Sequence, residues 1–291
     1  RGFRNLDDLN AQFAQWLEAE SHIFDREAVK AYLAHLNSQY APSSAKRKIA
    51  AIRAFAFYRE SEKGCSENPF HGLRISIREP KRLPKTIPLA DLDKMFSCNQ
   101  DASSAHKAFK TARNKAILEL LIATGMRVSE LCSLDRSNCD LVGRSVRIMG
   151  KGAKERVVQL ESDATIAAID EYLKARERWA GETAGEGRTA PTDGDALFVN
   201  RFGNRITEQS VRSMVAARAK ASGVSTHVTP HMFRHTFATL LLEEDVGIRY
   251  IQSLLGHSSI KTTEIYTHVS TAKQRDILRK SNPRNAICSG R

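Results

Sequence analysis

Three prolines within nine residues, Pro80, Pro84 and Pro88, constrain this chain more than any other feature. Each fixes φ and removes a backbone donor, so no helix continues through residues 79–88. At 291 residues the chain is long for one core and sufficient for two. The segment therefore reads as an extended linker between two domains. Lys81, Arg82 and Lys85 stand among the prolines, which suits a linker lying along a polyanion. The expected division is a helical domain over residues 1–80, a basic Pro-rich linker over 81–88, and a larger domain over 89–291 that ends in a C-terminal tail.

Charge narrows the partner. Lys and Arg number 45 against 33 Asp and Glu, a formal net charge of +12. Residues 1–80 hold 12 basic and 10 acidic residues, so most of the surplus lies downstream. Such a surplus points first to nucleic acid and second to an anionic membrane surface. No apolar run approaches the ~20 residues of a membrane span, and no signal peptide is recognisable. Cys65, Cys98, Cys132, Cys139 and Cys288 are odd in number and include no CxxC pair, so neither a disulfide framework nor a zinc site is signalled. The expected compartment is a reducing cytoplasm, with the chain on the nucleoid.

Periodicity predicts three helices in the first domain. Leu6, Leu9, Phe13, Trp16 and Leu17 recur at helical spacing, and so do Val29, Tyr32, Leu33 and Leu36. The third helix starts at Pro42-Ser43-Ser44 and runs through Ile49, Ile52, Phe55 and Ala56. It carries Lys46, Arg47, Lys48, Arg53 and Arg59, with no acid between residues 41 and 59. Lys46 and Arg53 are seven apart and share a face, so Ser43, Lys46, Arg47 and Arg53 are candidate phosphate contacts. A solvated basic face explains the same pattern. Downstream, residues 117–131 form a strongly apolar helical stretch broken at Thr124-Gly125. Residues 145–160 read as strand, tight turn, strand, and 163–180 as helix. Residues 181–194 read as a mobile loop, and Leu197-Phe198-Val199 as a short strand.

Four short blocks carry candidate chemistry. In Thr229-Pro230-His231-Met232-Phe233-Arg234-His235, Pro230 fits a first helical turn and places His231 and Arg234 at i and i+3. A guanidinium beside a titratable imidazole suits a phosphate. His231 and His235 also have zinc-helix spacing, but Met232 occupies the general-base position and Arg234 would repel a cation, so no metal site is expected. In Leu254-Leu255-Gly256-His257-Ser258-Ser259 an imidazole sits at a glycine corner, and Tyr266 lies nine residues beyond His257. In Ala123-Thr124-Gly125-Met126-Arg127-Val128-Ser129-Glu130-Leu131 a glycine bend precedes an arginine, and an Arg–Glu surface pair is the plain explanation. In Gly150-Lys151-Gly152-Ala153-Lys154-Glu155-Arg156 the glycines expose a lysine at a hairpin tip, for which a solvated turn is the plain explanation, and Lys154 and Arg156 are further candidate DNA contacts.

Together these blocks resemble the tyrosine recombinase (phage integrase) family, and closely its Xer-type members. The A-T-G-x-R-x-S-E-L, G-K-G-x-K-E-R, H-x-x-R-H-x-F-A-T, L-L-G-H-S and T-x-x-Y-T-H blocks stand in family order. The resemblance implies a mainly α fold with a small β-sheet (α+β). It would comprise a helical SAM-like core-binding domain and a mixed α/β catalytic domain, forming a C-shaped clamp on duplex DNA. It also implies Tyr266 as nucleophile, with Arg127, Lys151, His231, Arg234 and His257 assisting, and no cofactor. Four protomers, identical or mixed, would act on two double-stranded DNA recombination sites. Family members carry a further helix before the one predicted at 5–18, so DNA affinity and some protein contacts are expected to be reduced without it.

The chemistry needs these residue types. Breaking a phosphodiester concentrates charge on non-bridging oxygens, and preorganised donors (Arg127, Arg234, His257) would stabilise it. Lys151 is the candidate acid for the leaving 5′ oxygen, and His231 the candidate base or phosphate orienter for a tyrosine whose ordinary pKa is near ~10. No G-x-x-x-x-G-K-[ST] loop and no evident acidic cluster for two-metal chemistry occurs in the sequence. A type IB topoisomerase would use the same tyrosine, and a non-catalytic regulator would share the basic helix. Among recombinases, dimer resolution and mobile-element integration stay open, as does docking of residues 272–278 in cis or on a neighbour.

Overall fold

The computed structural model describes residues 2–20, 23–63, 68–77, 85–98, 103–150, 155–185, 194–244, 246–256, 271–282 and Arg284. The chain divides into two units, Arg1–Leu83 and Pro84–Arg291. No described helix is long and apolar enough to cross a membrane.

The first unit contains α1 (Gly2–Ala19), α2 (Arg26–Gln39) and α3 (Pro42–Lys63). Asp25 caps α2 by accepting from the Ala28 N–H at 2.8 Å, and Pro42 opens α3 where a missing donor costs nothing. The apolar stripes read from the sequence meet in one core of Phe13, Val29, Tyr32, Leu36, Ile49, Ile52 and Phe70. Phe13 and Trp16 both approach the Tyr32 ring, at 4.8 and 4.9 Å between centroids. Burying each large side chain contributes about 1.5–3 kcal/mol. Burial on one side of α3 leaves Lys46, Arg47, Ala50, Ala54, Phe57 and Tyr58 exposed.

The second unit is built around α5 (Ala105–Thr124), whose Ile117, Leu118, Leu120, Leu121 and Ile122 are all buried. It packs against α7 (Asp163–Gly185) on one side and α9 (Pro230–Glu243) on another. Preceding it is α4 (Leu89–Ser97); between and after them lie α6 (Val128–Ser133), α8 (Glu208–Ala221), α10 (Ile248–Leu255) and α11 (Thr271–Ser281). A three-stranded antiparallel sheet, β1 (Cys139–Asp140), β2 (Ser145–Met149) and β3 (Glu155–Gln159), has order β1-β2-β3 and pairs Ile148 with Arg156. Val146, Ile148 and Val158 point into the core, as period-two alternation requires.

The predicted mainly helical fold with a small sheet is the one observed. Two local expectations differ, and one strand was not foreseen. Residues 197–199 are not a strand; only isolated bridges, Asp135 to Ala196 and Val199 to Arg205, form there. The helix expected over 163–180 continues to Gly185, and the rest of the expected loop, 186–193, lies outside the described residues. The strand β1 has no signal in the sequence, because two residues are too few to show alternation. Of the linker, residues 85–88 are described and irregular, and the Ile87 N–H donates to the Thr236 hydroxyl of α9 at 2.8 Å.

The tail packs on its own unit. Ile277 and Leu278 of α11 join the core, and Arg275 donates to the Gln159 side chain at 3.1 Å. Beyond the helix, Arg284 pairs with the fully buried Glu119 at 2.6 Å, and the Asn282 amide donates to the Ala123 carbonyl. In this single chain the cis arrangement is therefore the one adopted.

Candidate functional site

The site grows out of the break between α5 and α6. Gly125 ends α5 in the left-handed region, with φ +60°, and its N–H bonds the Leu121 carbonyl. A Cβ there would stand 2.5 Å from Phe237 Cδ1 and 2.8 Å from Leu255 Cδ2. Both the conformation and the space therefore demand glycine. The turn delivers Arg127 to the cap position of α6, where its N–H donates to Glu130 Oε2 and its Nη1 to Glu130 Oε1, each at 2.8 Å. Far from being a surface pair, Glu130 is only 5% exposed.

A second arginine meets the same carboxylate. Arg156 of β3 donates Nη2 to Oε2 at 2.7 Å and Nη1 to Oε1 at 3.1 Å, a two-pronged pairing. Its Nε donates to the Leu254 carbonyl at 3.0 Å, in the last turn of α10. The third arginine, Arg234 of α9, donates Nη1 to the Gly125 carbonyl at 2.8 Å and Nη2 to the Leu255 carbonyl at 2.7 Å. Arg234 is 6% exposed, while His231, one turn earlier, is exposed.

Two guanidinium groups thus share one carboxylate, and the third, Arg234, is held nearby by two carbonyls and feels that carboxylate only through its field. Burial pushes the Glu130 carboxyl up, but the bonds from Arg156 and Arg127 outweigh it, and its pKa lies below the ordinary carboxylate value. Burial foremost, and then repulsion from Arg127 and Arg156 against the pull of Glu130, brings the Arg234 pKa down to about 10. Arg234 remains charged at neutral pH, in a cluster carrying two more positive than negative charges. Such a cluster is completed by an anion, and planar forks favour the oxygens of a phosphate. Burial, His231 and Arg234 together lower the pKa of His235 on α9, so this imidazole is mainly neutral at pH 7.

Of the six predicted site residues, Arg127 and Arg234 are brought together and His231 stands on the same helix as Arg234. Lys151, His257 and Tyr266 lie outside the described residues, as do the candidate DNA contacts Lys81, Arg82 and Lys154. Their neighbours are described. In sequence Lys151 stands two residues after Met149, the end of β2, and five before Arg156 of β3, and His257 follows Gly256, which ends α10 with φ +62°. Ser43, Lys46 and Arg47 are exposed at the start of α3, Lys85 is exposed, and Arg53 is half-buried with its guanidinium 5.3 Å from the Phe70 ring centroid. Arg156, predicted to face DNA, instead has its guanidinium turned inward on Glu130. Sequence reasoning noticed Glu130 but gave it no role. Its position three residues after Arg127 at a helix start was the available signal. No group of three or more His, Cys, Asp or Glu side chains that could hold a metal occurs among the described residues.

A helical chain that holds a net-positive arginine cluster about one buried carboxylate is of the class suited to meet an anion such as a phosphate. Comparison with known proteins gives that class its family. The phage integrase family model matches residues 98–273. A tyrosine recombinase of Agathobacter rectalis is 42% identical over 257 residues, 87% of this chain and 80% of that protein. The tyrosine recombinase XerC of Pelobacter propionicus is 38% identical over 279 residues, 94% of this chain and 86% of that protein. Among solved structures, the pre-cleavage complex of the XerH site-specific recombinase with its difH substrate shares the fold. Its TM-score is 0.64 at 24% identity, covering 84% of this chain and 68% of that one. The chain belongs to the phage integrase family and is an enzyme of the tyrosine recombinase type.

Proposed function

We propose that this protein cleaves and rejoins double-stranded DNA at specific sites through a 3′-phosphotyrosyl link to Tyr266. The observation that carries the proposal is the cluster of Arg127 and Arg156 on the single carboxylate of Glu130, with Arg234 held beside them on the Gly125 and Leu255 carbonyls, a preformed surplus of positive charge within a recombinase fold. Arg127 and Arg234 neutralise the non-bridging oxygens as charge develops in the pentacoordinate state, with His257 as a third donor. The Tyr266 oxygen attacks the scissile phosphorus and gives up its proton to His231, or to water with His231 orienting the phosphate. The bond to the 5′ oxygen breaks, and that oxygen takes a proton from Lys151. The phosphodiester is conserved as a phosphotyrosine, so a 5′ hydroxyl from a second duplex can reverse the step without ATP.

The first unit supplies grip on the duplex through Ser43, Lys46, Arg47 and Arg53, with Lys81, Arg82, Lys85 and Lys154 adding phosphate contacts. Strand exchange needs four protomers on two sites, and the related XerH was solved on a site-specific substrate, which supports a DNA partner. The work would be done in the cytoplasm, on the nucleoid. Integration or excision of a mobile element and resolution of DNA dimers both suit this chemistry.

A suicide substrate nicked beside the cleavage point tests the proposal. Wild-type protein is expected to become covalently attached to the 3′ end, and Tyr266→Phe to form no adduct while still binding. No adduct with the wild type, or an adduct with Tyr266→Phe, would overturn it. Exchange between two site-bearing duplexes, rather than relaxation of one supercoiled plasmid, separates a recombinase from a topoisomerase.

A further inference from the structure

Arg156 is the most heavily engaged side chain of the cluster, and neither the motif order nor the proposed chemistry gives it a task. It stands in β3 opposite Ile148 and is 13% exposed. From one planar guanidinium it holds both oxygens of Glu130 and the Leu254 carbonyl. Each partner belongs to a different catalytic segment. Glu130 is the group that orients Arg127, through two bonds of 2.8 Å. Leu254 lies in the last turn of α10, three residues before His257 in sequence, and the neighbouring Leu255 carbonyl is held by Arg234. Arg156 itself follows Lys151 by five residues in sequence and lies in β3. The space around it is matched to this fit: a Cβ on Gly256 would lie 2.9 Å from Arg156 Nη1 and 3.2 Å from Cδ.

We infer that Arg156 is a positioning residue that sets the mutual register of the segments bearing Arg127, Lys151 and His257, rather than a DNA phosphate contact. The physical reason is its geometry. Only a guanidinium offers two parallel donors to a carboxylate and a third, divergent donor to a carbonyl; an ammonium keeps the charge but cannot span the three acceptors at once. Because the chemistry needs reacting groups aligned within a fraction of an ångström, loss of this tie reaches the rate through Arg127, Lys151 and His257 without removing any group that touches DNA. The inference rests on the proposed phosphotyrosyl reading.

The test uses the full chain and the nicked suicide substrate, measuring DNA Kd at several salt concentrations and the single-turnover rate of covalent attachment at saturating protein. Arg156→Lys is expected to slow attachment about 10- to 100-fold, while Kd stays within about twofold and the salt slope is unchanged. Thermal unfolding of the same variant identifies the fraction folded, and rates are compared on the folded protein. Gly256→Ala supplies an independent disturbance. It keeps the Arg156 side chain but forces its guanidinium to shift and strains the left-handed position at residue 256, and is expected to slow attachment with the same unchanged Kd. A rate at the wild-type level in folded Arg156→Lys would overturn the inference. So would a defect confined to Kd with a salt slope reduced by about one, the signature of a phosphate contact. If the wild type itself forms no adduct, the catalytic reading fails instead, so the two failures are told apart.

Discussion

On α3 the cations Lys46 and Arg47 stand exposed on a helix with no acid between residues 41 and 59, whereas in the second unit Arg127 and Arg156 converge on one buried carboxylate with Arg234 held beside them by two carbonyls. The two regions use the same side chains at different dielectric. An exposed cation keeps its hydration, and its attraction for a polyanion is long in range but screened by salt. A buried guanidinium has lost water already and is held at a fixed angle, so charge developing beside it meets a preorganised partner. Placement separates affinity from rate. The first region should govern how tightly DNA is held, and the second how fast a held phosphate reacts.

The sharpest way to break this division is Arg234→Ala. Removing one preorganised donor should slow covalent attachment about 10²- to 10³-fold while leaving DNA Kd nearly unchanged, as a gel-shift titration beside a single-turnover assay would reveal. A loss confined to binding would merge the two regions into one.

Glu130→Gln comes next, since it leaves Arg127 and Arg156 with a neutral partner. Breaking a buried pair on one side costs about 3 kcal/mol, readable in urea unfolding. The pH dependence has a defined sign. The folded pKa of Glu130 is depressed, so its stabilisation is fully present above the ordinary carboxylate pKa and is lost as pH falls through the lower, folded value. The variant should lack this acid-side loss, and its difference from wild type should shrink as pH falls.

Smaller effects are expected in the first unit. Arg47→Gln should weaken DNA binding several-fold and reduce the salt slope by about one, without altering attachment at saturating protein. Lys48→Met should change binding least of all. Although it belongs to the same basic run, Lys48 is buried, donates to Gln12 and sits 4.4 Å from the Tyr40 ring centroid. Its loss should appear as a stability change of about 1 kcal/mol or less, measured by denaturation of the full chain.

Lys46, Lys48 and Arg156 mark the limits of reading a chain without its fold. Their types and spacing announce a polyanion partner, and the helix that carries Lys46 and Lys48 is visible as apolar periodicity in Ile49, Ile52 and Ala56. Which way each cation points is a matter of a few tens of degrees around a helix or one step along a strand. In β3, Arg156 lies between exposed Glu155 and exposed Val157 and therefore faces inward. Its partner Glu130 is 26 residues away in sequence, a separation at which local pattern carries no information. The expected strand at 197–199 failed for a related reason: a short apolar run is compatible with any buried segment, and here only single bridges reach it.

The order of helices, the proline-marked boundary region, the excess of positive charge and the list of residues able to handle a phosphate were all present in the linear chain, because each depends on local chemistry or on simple counting. The tertiary structure alone made an arginine cluster of them. Gly125 and Gly256 turn two helix ends so that four carbonyl and carboxylate acceptors face three guanidinium groups from separate strands and helices. That convergence decided that Glu130 is buried and that Arg156 faces the protein, while separate contacts of Arg275, Ile277 and Leu278 seat α11 on its own unit. Each of these outcomes depends on which distant segments exclude water from the same volume, and no local pattern encodes that.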